Sequence, residues 1–121
     1  MRLALFLTAF FVAVAPINGT ESLRMSVSPA QSLAPANLRV RMTVEPNAIN
    51  RTVAVVAESD NYYRSSEMPL EGELGPRTLF FEFRGIPSGD YQIRAVVGDA
   101  RGHEVATAAQ SVYVLASGTE R

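Results

Sequence analysis

The residues able to do chemistry are few, and their spacing narrows what they can do. His103 is the single imidazole in a chain of 121 residues that contains no Cys. It follows Gly102 in a stretch of turn composition, and a Ser–His–acid nucleophile set needs an imidazole held between a hydroxyl and an orienting acid. Nothing beside His103 supplies that constellation. Without Cys there is no thiol nucleophile, no thiolate-bound zinc and no iron–sulfur cluster. One imidazole leaves a metal site little but oxygen donors. Glu58 and Asp60 could offer such oxygens to calcium, yet the regular Asp-x-Asp-x-Asp loop is missing. Glu71 and Glu73 flank Gly72 as a carboxylate pair of the kind glycoside hydrolysis requires, but they lie in a turn-rich stretch where acids serve solvation. The glycines are scattered through turns and form no phosphate-cradling loop. The sequence predicts a non-enzymatic protein with no cofactor and no metal.

Two constellations suit binding. Tyr62-Tyr63-Arg64 sets adjacent rings on opposite faces of an extended segment, so one ring faces outward beside a guanidinium. Such a pair fits sugar or protein contact, because a tyrosine ring combines stacking area with a hydroxyl. The plainer reading packs one ring on the core and the other over the sheet edge. Arg39 and Arg41, joined by Arg51, Arg84 and Arg94 if their strands share a face, form a row able to take an anionic partner bidentately. The plainer reading is a solvated face with cross-strand pairs to Glu45, Glu58 and Glu82.

The elements that must position these residues begin after a distinct N-terminal segment. Arg2 precedes an apolar run from Leu3 to Ala15, interrupted only by Thr8 and broken by Pro16, Asn18 and Gly19. A charged start, a short apolar stretch, a helix breaker and small residues are the marks of a secretory signal peptide. The run is shorter than the roughly 20 residues a membrane span needs. Residues 1–19 are therefore expected to be a signal-peptide helix cleaved near 15–20. Residues 20–121 remain as one exported domain, periplasmic or secreted, with no membrane span. The formal net charge of −1 argues against a nucleic-acid partner, which requires clustered basic charge.

From about residue 22 the dominant period is two, which places successive side chains on opposite faces of a strand. Leu38, Val40, Met42 and Val44 alternate with polar residues. So do Leu23, Met25 and Val27; Val53, Val55 and Ala57; Leu79, Phe81 and Phe83; Tyr91, Ile93, Ala95 and Val97; and Val112 and Val114. Val105 opens the last strand, with a bulge expected within Thr107 to Gln110 to keep phase. Turn residues punctuate the runs, and Asp99-Ala100-Arg101-Gly102 reads as a tight hairpin with Gly102 at positive φ. The segment from Asp60 to Leu70 reads as an edge strand or a structured loop. About seven short strands point to an all-β, antiparallel two-sheet sandwich, with a small open barrel as the alternative. Phe81 is expected to be the costliest core residue to truncate.

Ile86-Pro87-Ser88-Gly89-Asp90-Tyr91-Gln92-Ile93-Arg94-Ala95 resembles the lead-in to the penultimate strand of immunoglobulin-like and fibronectin type III-like domains. The following Val97 to Glu104 resembles the hairpin of bacterial extracellular sandwich modules. The resemblance implies that Tyr91 is a tyrosine-corner residue, its ring in the core and its hydroxyl bonded to nearby backbone, with Gly89 forming the turn before it. It also implies a non-enzymatic binding or structural module meeting an unknown protein partner in the cell envelope. The alternative is a carbohydrate-binding module that meets a glycan through Tyr62 or Tyr63.

Overall fold

The computed structural model describes residues 19, 20 and 22–117, and the expected signal peptide lies almost wholly outside them. The described residues form nine strands: β1 (Gly19–Thr20), β2 (Leu23–Ser28), β3 (Gln31–Leu33), β4 (Ala36–Val44), β5 (Thr52–Ser59), β6 (Tyr62–Pro69), β7 (Thr78–Ile86), β8 (Gly89–Gly98) and β9 (Glu104–Leu115). A 3₁₀ turn at Gly72–Leu74 is the one helical element among them. One sheet has the order β1-β2-β4-β7 and the other β3-β9-β8-β5-β6. Pairing is antiparallel except where β3 runs parallel to the end of β9.

Alternation drives this arrangement. Leu23, Met25, Val27, Leu38, Val40, Met42 and Val44 turn inward from the four-stranded sheet and are buried. Val53, Val55, Ala57, Ile93, Ala95, Val97, Ala106, Ala108, Val112 and Val114 do the same from the five-stranded sheet. Large side chains on one inner face meet smaller ones, several of them Ala, on the other. Two twisted sheets can interdigitate closely that way.

The sandwich matches the expected all-β class, and the two strands beyond the expected seven are the short β1 and β3. The segment after Asp60 is an edge strand, β6, paired with β5 alone. Two expectations are corrected. Phe83, at 1% exposure, is the buried aromatic of β7, whereas Phe81 is half-buried and packs edge-on against it at 4.8 Å between centroids. Both point inward, but β7 is an edge strand and only Phe83 lies deep enough to be covered. The bulge in β9 falls at Val105, where the register steps from Val97↔Ala106 to Gly98↔Glu104, and not within Thr107–Gln110. From Ala106 onward the phase of β9 needs no correction. The hairpin closes as expected: Gly102 has φ 85° and donates its N–H to the Asp99 carbonyl at 3.0 Å.

A two-sheet sandwich leaves open flanks, where edge strands carry backbone groups with no neighbouring strand. On the first flank, β2 bonds to β4 through its even-numbered residues, since Ser22 accepts from Glu45 N–H and hydrogen-bonded pairs alternate along an antiparallel ladder. The N–H and C=O of Val27 therefore face away from β4. The side-chain amide of Gln110, from β9 of the opposite sheet, meets both: Oε1 accepts from Val27 N–H at 3.0 Å and Nε2 donates to Val27 C=O at 2.9 Å. On the second flank, Arg77 C=O accepts from Val44 N–H, so by the same alternation the even-numbered residues of β7 turn their backbone groups outward. Arg64 of β6 reaches across and donates from Nη1 to the Arg84 carbonyl at 2.8 Å. Each flank is thus tied by one polar side chain.

Tyr91 joins the core to the β7–β8 turn. Its ring is buried and packs in a T-shaped contact on Tyr62, centroids 6.0 Å apart, and its hydroxyl donates to the Pro87 carbonyl at 2.9 Å. A Cβ on Gly89 would come within 3.2 Å of that ring, which is why a glycine precedes it.

Phe83→Ala is expected to lose about 3–5 kcal/mol in chemical unfolding, and Phe81→Ala clearly less. Gln110→Ala is expected to lose about 1–3 kcal/mol, because it leaves both Val27 groups unpaired in a partly buried place. Equal losses for the two phenylalanines would contradict the edge position of Phe81. Burial raises the Tyr91 pKa above the ordinary tyrosine value. The fold therefore favours the neutral hydroxyl. That stabilisation is complete below about pH 10 and is lost as pH rises through the folded-state pKa. Alkaline unfolding of Tyr91→Phe, followed by circular dichroism, is expected to lack this component.

Candidate functional site

A polar concavity lies on the outer face of the five-stranded sheet. Glu58, Ser59 and Asp60 at the β5–β6 turn, Asp90, Tyr91 and Gln92 at the start of β8, and Ser111 and Tyr113 on β9 line a cleft of about 450 Å³. Register assembles it. Glu58 stands opposite Gln92, Gln92 opposite Ser111, and Asp90 opposite Tyr113, so outward residues of three strands meet on one surface. The Ser111 hydroxyl donates to Gln92 Oε1 at 3.3 Å. Arg94 is the cation paired to this group, with Nη2 3.7 Å from Glu58 Oε1. Three carboxylates against one guanidinium leave the cleft electronegative. Tyr113, 47% exposed, adds an open ring face.

The residues singled out from the sequence divide between other places. Tyr62 turns inward onto Tyr91 while Tyr63 stays outside at 62% exposure, as alternation requires. Arg64 is engaged with the Arg84 carbonyl and, at 3.4 Å, with the Tyr62 hydroxyl. It ties the flank and does not stand beside a free ring. The expected arginine row does not exist as one surface. Arg39 and Arg41 lie opposite Glu82 and Phe80 on the four-stranded sheet, and Arg84 pairs with Glu82 at 3.4 Å on that sheet. Arg94 belongs to the other sheet, and Arg51 donates to the Ala48 and Asn50 carbonyls of its own loop. Strands from different sheets present their outer residues on opposite sides of the molecule, so the row is split. Asn50-Arg51-Thr52 has the Asn-x-Thr form of a glycosylation acceptor, but its Asn is closed off. Asn50 is 2% exposed, and its Nδ2 donates to the Glu45 carbonyl.

His103 sits exposed on the β8–β9 hairpin, Nδ1 3.7 Å from Asp99 Oδ2. The Asp99 carboxylate accepts from the backbone N–H of His103 at 2.8 Å and of Arg101 at 2.9 Å. These bonds, His103 first, hold its pKa below the usual carboxylate range. Glu71 and Glu73 line a separate cleft with Arg51 and the exposed Leu74. Asp90, Gln92, Ser111 and Tyr113 carry no local motif. The signal that could have found them is the outward phase of β8 and β9, read across strands.

No protein-family model and no curated protein matches the sequence. Its fold is similar to solved structures of superoxide reductase (neelaredoxin) from Ignicoccus hospitalis. One matches with a TM-score of 0.61 at 12% identity, covering 79% of this chain and 82% of that one. Two variants of the same protein match with TM-scores of 0.58 and 0.54, at 12% and 10% identity. The first of these matches covers 74% of this chain and 78% of that one, the second 77% and 79%. These neighbours overturn the immunoglobulin-like and fibronectin type III-like resemblance. Alternating strands with a Pro-Gly turn and a corner tyrosine follow from sandwich geometry and do not mark that family. The expectation built on the resemblance falls with it: a non-enzymatic binding module, by protein contact or by glycan, is not what the structural neighbours are, since their name is that of a redox enzyme. At such identity the likeness is one of fold. The donor inventory of this chain does not fit a redox metal centre, because it has one imidazole on an exposed turn and no thiol. Among the described residues, no three His, Asp or Glu side chains gather to hold an ion. The chain is therefore a sandwich similar in fold to superoxide reductase, with its most distinctive surface chemistry in the Glu58–Asp60–Asp90 cleft.

Proposed function

We propose that this chain is an exported protein that takes a small organic cation, an amine or a guanidinium, in the cleft between the β5–β6 turn and the β8–β9 pair. The observation that carries the reading is the meeting of Glu58, Asp60 and Asp90 with the open Tyr113 ring, against the single counter-charge of Arg94. Carboxylates lining one concave surface concentrate cations locally. A tyrosine face adds about 0.5–1 kcal/mol for a cation at an exposed site, and each solvated carboxylate adds about 0.2–1 kcal/mol. Together these come to about 1–4 kcal/mol, which corresponds to binding between about 1 and 150 mM. The cleft volume lies within the range of small-ligand sites, roughly 300–1,000 Å³. The superoxide chemistry in the neighbours' name is not carried over, because the donor set does not fit it. Export rests on the Arg2, Leu3–Ala15 and Pro16–Gly19 pattern.

The chain has no Trp and four Tyr, of which Tyr91 and Tyr113 line the cleft, so part of the tyrosine emission reports on it. Titration with agmatine at low salt is expected to saturate, and to weaken as salt rises. The Asp90→Asn, Glu58→Gln double variant is expected to bind about tenfold more weakly, which corresponds to about 1.4 kcal/mol. Glu71→Gln is expected to bind as the parent does. No response up to about 150 mM, or equal binding by the double variant, rejects the reading. For export, mass spectrometry of the protein made in a secreting bacterial host is expected to find an N-terminus between residues 15 and 20. An intact Met1 in the cytoplasm would refute it.

A further inference from the structure

We infer that this sandwich is a metal-independent scaffold: it keeps the architecture of a redox enzyme while lacking the means to hold a redox metal within one chain. Reduction of superoxide to hydrogen peroxide consumes one electron and two protons, and ordinary side chains do not cycle as one-electron carriers. A protein performing it must hold a redox-active centre. Transition-metal sites that keep an open position still use about three protein ligands, drawn mainly from imidazole, thiolate and carboxylate. The full sequence offers one imidazole and no thiolate.

The imidazole is placed where coordination is least supported. His103 lies on an exposed hairpin, and the carboxylate its ring approaches is that of Asp99, at 3.7 Å, which is already held by two backbone N–H groups. Metal-ligating histidines are normally oriented by a second partner, and the hairpin supplies none beyond that same carboxylate. The Glu58, Asp60 and Asp90 carboxylates share a cleft, yet they are not gathered into a coordination sphere.

The fold also has no need of a metal. Its two sheets are joined by a continuous buried core, and its flanks are tied by Gln110 and Arg64. Sites that contribute folding free energy do so by joining segments that would otherwise separate; here side chains already join them.

The test uses the full chain, incubated anaerobically with ferrous iron and desalted, with metal content and thermal unfolding as readouts. The expected result is below about one-tenth of an iron per chain, and a Tm within about 2 °C whether iron or EDTA is present. His103→Ala is expected to match the parent in both. Iron above about that fraction, or a larger Tm difference, overturns the inference. The agmatine titration uses an organic cation without metal, so the cleft reading and this inference fail separately.

Discussion

Backbone polarity at the sheet edges governs this molecule. A strand inside a sheet has both rows of N–H and C=O groups paired by its neighbours, but a sandwich must end somewhere, and each end exposes a row. Burying such a row without partners costs about 1–3 kcal/mol per group. The chain meets the problem across the gap between its sheets, using side chains in place of strands. The primary amide of Gln110 carries the same donor and acceptor as a peptide unit and occupies the place a neighbouring strand would take beside Val27. Because Gln110 belongs to β9, that substitution also fixes how the two sheets sit on one another.

Much of the fold was legible in the sequence because burial on one face leaves a period of two. Leu38 to Val44 shows it fully, and every one of those inward residues is buried. The relation between sheets was not legible. Alternation tells which residues of a strand face inward, but not which sheet the strand joins or whether it lies at an edge. Phe81 and Phe83 look equivalent in the sequence, and only the edge position of β7 separates them. The same limit split the arginine row, since Arg39 and Arg94 are both outward residues of opposite sheets.

The cleft illustrates the harder case. Glu58 and Asp60 are visible as acids near a turn, but Asp90, Ser111 and Tyr113 join them only through register, across separations of thirty residues and more. The resemblance drawn from Ile86 to Ala95 captured something local and physical: Tyr91 does place its ring in the core and its hydroxyl on the Pro87 carbonyl. It failed as a guide to kinship because that corner solves a problem common to many sandwiches. Similarity of fold to superoxide reductase carries the same lesson in reverse, since a shared scaffold leaves the choice of chemistry to the residues grafted on it.

The contact of Arg64 with the Arg84 carbonyl has a consequence for behaviour at high concentration. The even-numbered residues of β7 offer a foreign chain a ready template for strand addition, and exposed Phe80 would make such an encounter adhesive. Arg64 occupies one of the outward acceptors, and its positive charge sits where an incoming edge would have to approach. Just beyond, the register shift opposite Asn37 bends the strand away, and Gly85 N–H is taken by Asn37 Oδ1 at 3.1 Å. The Arg84 end of the edge is thereby blunted, by a guanidinium that contributes nothing to the core.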